Sequence, residues 1–226
     1  MKAWGLRDID KNMAIFRIIT AEEEAASALM ISLKRRHYNG SEKLKLYSHV
    51  HKSSIWFIIA AFTEFLPALQ GSIEGEFAIE PDETTGKATP IMRFKILNSS
   101  LPGYIYPIPP LEIQLIHGNG TNKTLHMLEE EIKKLVSAKG HEEFLKYIQA
   151  EANIRNEILY AGDQGVPTAS NDIDSFIKHR RKRVFVLQIV CLLIDFYPQK
   201  QLLVKQLLQV LLVNLKSINI NNTALT

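Results

Sequence analysis

Apolar residues recur at three- and four-residue spacing over most of the chain, which predicts a mainly helical fold. Residues 1–19 form a mixed lead-in, in which Trp4, Leu6, Ile9, Met13, Phe16 and Ile19 would dock a short helix on the main body. Thr20-Ala21-Glu22-Glu23 has the form of a capping box, with a hydroxyl at the cap and a carboxylate three residues on. A helix is expected from there to about Tyr38, stopped by Asn39-Gly40, with Ala25, Ala28, Leu29 and Leu33 as its apolar stripe. Ser41–Leu69 reads as a second helical unit. It is apolar on most sides (Trp56, Phe57, Ile59, Phe62, Phe65, Leu66), hence central, and Pro67 and Gly71 end it.

The period then shifts toward two. Glu76–Glu80 and Ile91–Ile96 are β-prone and flank a polar turn over Pro81–Pro90 that contains Gly86, as a hairpin requires. Ser99–Pro110, rich in proline, reads as loop, and Leu111–Ile116 as a third candidate strand. Residues 72–117 are therefore expected to be a small β insertion within a single helical domain spanning 1–226. Helices are expected again over Leu125–Ala138, His141–Ala161, Asn171–Tyr197 and Gln199–Leu215. The last two would pair across Pro198, and Asn219–Thr226 would be a frayed tail.

Composition changes this picture little. With 226 residues, 46% hydrophobic and 23% charged, the chain can bury a sizeable core, and a net charge of +3 does not by itself point to nucleic acid. The single cysteine, Cys191, excludes an intrachain disulfide framework and fits a reducing compartment. The charged N-terminus MKAWGLRDIDKN lacks a secretory core, and no apolar run is long enough for a bilayer, so a cytoplasmic protein without membrane contact is expected.

Candidate chemistry is sparse. His49-Val50-His51 places two imidazoles two residues apart, on nearly opposite sides of a helix, so no metal site is expected. Gly118–Thr124 sits between a predicted strand and a helix, the usual setting of a phosphate loop. It departs from the Walker pattern at His117 and Asn122, and a polar connector accounts for it better. Lys178-His179-Arg180-Arg181-Lys182-Arg183 is the densest basic run. It reads either as a solvated helix start or, because its cations oppose the helix dipole, as a surface for phosphate backbone through Lys178, Arg180, Arg181, Lys182 and Arg183. In the stretch RNEILYAGDQGVP, Asn156 and Tyr160 share a helix face beside Arg155, just before a Gly/Asp/Gln/Gly/Pro stop. A guanidinium, an amide and a phenol there can bind and polarise a phosphodiester, or simply close a helix through a salt bridge and packing.

Arg155-Asn156-x-x-x-Tyr160 resembles the arginine–polar–spacer–histidine signature of HEPN domains, with tyrosine in place of histidine. Ala21-Glu22-Glu23-Glu24 in an early helix and Leu159-Tyr160-Ala161 after the arginine are similar to the A-x-E-E-x-x-K-A and R-x(3)-L-Y-V-D elements of its AbiV branch. Ser27 replaces the lysine of the first element, and Ala161-Gly162-Asp163 follows the second only loosely. The resemblance covers helical segments alone. It implies an α-helical bundle that dimerises with two motifs facing one cleft, and a role in abortive phage infection or a toxin–antitoxin-like system. It also implies binding of RNA, with metal-independent cleavage and no cofactor in active members. Arg155 would hold the phosphate, Asn156 orient it, Tyr160 donate a proton, and Glu23 or Glu24 position the arginine or tyrosine. A phenol with a pKa of about 10 is a weak base at neutral pH, which leaves cleavage open. The alternative is a non-catalytic module that binds a phage, host or antitoxin protein through the β insertion; a nucleotide regulator using Gly118–Thr124 with Lys123 is the third reading.

Overall fold

A computed structural model describes residues 2–56, 59, 73–82, 85–97, 103–114, 130, 134, 144–159 and 172–223. The predicted central segment beyond Trp56 apart from Ile59, the Gly118–Thr124 loop, most of Leu125–Ala138, Tyr160 and the Gly162–Ser170 loop lie outside them. The fold is mainly helical with a small two-stranded antiparallel sheet.

Helix α1 (Lys2–Leu6) leads into α2 (Lys11–Arg35), a single helix of 25 residues. The expected cap at Thr20 is not there. Asp10 caps α2 instead, its Oδ1 accepting the Met13 N–H at 2.9 Å. Thr20 lies inside the helix, with its hydroxyl bonded back to the Phe16 carbonyl. The physical reason is that the apolar stripe does not begin at residue 25: Ala14, Ile15, Ile18 and Ile19 are buried and continue it upstream. The far end also differs. His37 takes the left-handed conformation (φ 55), and the Tyr38 N–H reaches the Leu33 carbonyl while His37 N–H reaches Lys34, a Schellman stop whose left-handed residue lies three positions before the expected glycine.

A 3₁₀ turn (Ser41–Lys43) and helix α3, whose described residues are 49–56 and 59, follow. Strands β1 (Ile73–Pro81) and β2 (Ala88–Ile96) pair antiparallel with Phe77 opposite Met92, a longer hairpin than the pattern suggested. The third strand is not formed over 111–114. Leu111 sits in a turn where its N–H donates to Gln201 Oε1 at 2.7 Å and its carbonyl accepts from Leu203 N–H. The hairpin's extra partner is one bridge, Phe94 to Ile105.

Helices α4 (Phe144–Leu159), α5 (Ile173–Phe196) and α6 (Leu202–Thr223) complete the described chain. Asp172 caps α5 by accepting the Ser175 N–H. Helix α6 runs through part of the predicted tail. Cross-links fix how α2 and α5 lie: Glu22 meets Arg180, Ser32 meets Cys191, and Arg36 meets Asp195, so the two helices run parallel. Helix α4 runs against α5, since Glu151 meets Arg180 and Ile154 and Ile158 pack in one cluster with Ile173 and Ile177. The main core joins α2, α3, α5 and α6 through residues such as Leu29, Met30, Leu187, Leu193 and Leu208. Among the described residues no helix is long and apolar enough to cross a membrane.

Candidate functional site

The ionic centre of the molecule lies where α2, α4 and α5 meet. Arg180 donates to Glu22 at 2.8 Å and to Glu151 at 2.7 Å. Arg183 reaches the same two carboxylates at 3.3 and 3.4 Å. Arg180, Arg183 and Glu22 are each less than 9% exposed. Burial acts to lower the Arg180 pKa, but the carboxylates of Glu22 and Glu151 outweigh it and hold the guanidinium above its usual value. Burial pushes the Tyr147 phenol up, and Glu151 adds to this. The Arg180 guanidinium lies over Phe176 and the Arg183 guanidinium over Trp56, each 5.1 Å from the ring centre. Two cations against two anions, flanked by aromatic rings, make a charge-matched and largely buried junction.

This corrects the reading of the basic run. Arg180 and Arg183 are three residues apart on the buried side of α5, in line with Ile173, Ile177 and Leu187, and their charges are already matched. They offer no surface to a phosphate backbone. Lys178, Arg181 and Lys182 remain exposed.

The AbiV-like acidic pair also divides. Glu23 is 9% exposed and its Oε1 lies 2.6 Å from His49 Nδ1. Glu24 is exposed. The sequence offered no reason to join His49 to Glu23. His51, the other imidazole, accepts the Lys45 N–H on Nδ1; burial lowers its pKa, with Lys45 and Lys34 acting in the same direction. Among the described residues no cluster of His, Cys, Asp or Glu side chains is placed to hold a metal ion.

Arg155 and Asn156 occupy the last turn of α4, one turn beyond Glu151, and Asn156 is exposed. Tyr160 and the side chain of Arg155 fall outside the described residues. Because α4 and α5 are antiparallel, that last turn lies toward the start of α5, with Arg181 and Lys182 level with Glu151 rather than with Asn156. Glu151 was not singled out by sequence reasoning. Glu22 was read only as part of a cap, yet a carboxylate within the stripe of Ile18, Ile19, Ala25 and Ala26 is the signal of a buried partner for a cation.

No family model, curated protein or solved structure matches the chain.

Proposed function

We propose that this chain is a HEPN-like, AbiV-resembling RNA-binding protein of an abortive-infection or toxin–antitoxin-like system, acting in the cytoplasm as a homodimer. Its site is the last turn of α4 and the residues after it: Arg155 holds a phosphate, Asn156 orients it and Tyr160 donates to it. Lys178, Arg181 and Lys182 attract the backbone. Any cleavage is metal-independent. The RNA's own 2′-oxygen gives its proton to water and attacks the adjacent phosphorus, and the P–O5′ bond breaks to leave a 2′,3′-cyclic phosphate. Tyr160 protonates the departing 5′-oxygen while the Arg155 guanidinium stabilises the phosphorane charge. Glu24 is the acidic residue left to position the site, since His49 occupies Glu23.

The observation that carries this reading is the exposed Asn156 on the helix turn beyond the Glu151 ion pairs, which join α4 to the half of α5 that bears the exposed Lys178, Arg181 and Lys182. The test is incubation of mixed RNA with the protein in EDTA, beside filter binding at low salt. RNA retention that weakens with Arg155→Ala and with Lys178→Ala/Lys182→Ala supports the reading. Fragments produced equally by wild type and Arg155→Ala, or no retention at all, overturn the site.

The second reading, a non-catalytic interaction module, is favoured by one observation: Ile79, Tyr104, Ile105, Tyr106 and Ile108 of the β insertion are all exposed. A protein partner bound by both wild type and Arg155→Ala, with no RNA retained at moderate salt, would select it.

A further inference from the structure

A recess of about 560 Å³ opens where the end of α2 and the following turn face α6, within the usual size of a small-molecule site. Its rim carries Lys43, Lys200 and Lys205, all exposed and none in an ion pair among the described residues. One wall is apolar: Leu208 is buried, Leu212 half-buried, and Val213 is 47% exposed toward solvent. Asn39 and Gln209 place exposed amides at its edge, and the Tyr38 ring, 2% exposed, backs it.

A second recess of about 320 Å³ adjoins it, sharing Tyr38 and Asn39 and adding Lys34, His37 and one carboxylate, Glu42. The walls are held in place. Gly40 has φ 89, and a Cβ there would strike Leu212 Cδ1, so the turn seats directly on α6. Tyr38 is fixed in turn by the Gln201 N–H, which donates to its hydroxyl at 2.9 Å.

Three cations, an apolar stretch and two amides lining one recess match one ligand chemistry. We propose that this recess binds a nucleoside phosphate: Lys43, Lys200 and Lys205 take the phosphates, Leu208, Leu212 and Val213 cover one face of the base, and Asn39 and Gln209 read its edge. The ligand is either a free nucleotide or the terminal nucleotide of an RNA. The site is separate from the one proposed above. Arg35, the last residue of α2 before the turn that lines the recess, follows Glu22 of the ionic junction by 13 positions, about 20 Å at a helical rise of about 1.5 Å per residue.

The experiment is calorimetric titration of the full chain with AMP, ADP, ATP, adenosine, tripolyphosphate and a short 5′-phosphorylated oligoribonucleotide. The variants are Lys43→Ala/Lys205→Ala and Val213→Asp, all at exposed positions, with Arg155→Ala as the reference for the other site. A saturable nucleotide isotherm is expected. Adenosine and tripolyphosphate should bind at least tenfold more weakly, as should the nucleotide to either recess variant, while Arg155→Ala leaves it unchanged. Binding of the oligonucleotide alone, lost in the lysine variant and kept in Arg155→Ala, supports the same recess with RNA as the source. No saturable binding of any probe up to millimolar concentration overturns the proposal. So does tripolyphosphate binding as tightly as ATP, or an affinity untouched by the recess variants.

Discussion

Replacing Glu22 with glutamine removes one charge from the α2–α4–α5 junction while keeping its size. In the native protein Arg180 and Arg183 share Glu22 and Glu151, so the four charges cancel. In Glu22→Gln one carboxylate faces two buried guanidinium groups. Breaking one member out of a buried ion pair typically costs about 3–5 kcal/mol, because the partner stays desolvated without compensation. Two features soften this here: Glu151 still accepts from Arg180 at 2.7 Å, and its side chain is 20% exposed, so water can approach. A loss of about 2–4 kcal/mol is expected. With an m-value of about 3 kcal/mol/M, the urea midpoint should fall by about 1 M. The control is Glu76→Gln, which breaks the surface pair with Arg93 at 2.8 Å and should leave the midpoint in place. Adding Arg180→Met to Glu22→Gln restores neutrality in an apolar setting and should recover part of the loss, a coupling read from the double-mutant cycle. If Glu22→Gln shifts the midpoint no more than Glu76→Gln does, the junction is not a largely buried, charge-matched contact and the reasoning fails.

Tyr38→Phe removes the acceptor of a buried Gln201 N–H and should cost about 1–3 kcal/mol in the same urea assay; an unchanged midpoint would mean the N–H finds another partner. His51 has its pKa lowered in the fold, chiefly by burial, so the unfolded chain binds its proton more readily. Its contribution is therefore complete above the ordinary histidine value of 6.5 and is lost as pH falls below that value. Thermal melts between pH 7.5 and 5 should show a fall that is smaller in His51→Gln, and equal slopes in the two proteins would refute it.

The helical class and the hairpin were legible because each writes a local period: the stripe of α2 in one case, Phe77 and Met92 facing the core in the other. Boundaries were less so. Thr20-Ala21-Glu22-Glu23 satisfies the letter pattern of a cap, but nothing local distinguishes that from a helix interior whose Glu22 is reserved for a distant arginine. The basic run misled for the same reason. Local charge density suggests solvent, whereas helical spacing puts Arg180 and Arg183 in line with Ile177 and Leu187, and the carboxylates that make this tolerable come from two other helices. Leu111 departs from a strand because its backbone partners are Gln201 and Leu203, ninety or more residues away. Asn156 is where its helix placement suggested, exposed on the final turn of α4.

The parallel course of α2 and α5 bears on how the protein is made. Glu22 finds Arg180 only 158 positions downstream. A nascent chain that has just released α2 from the ribosome therefore holds a carboxylate embedded in an apolar face with no cation yet synthesised to meet it. The N-terminal half should stay loosely assembled until α5 emerges, and final closure waits on a large loop entropy. Chain length at the moment of release, rather than local helix strength, then sets when this molecule becomes resistant to protease.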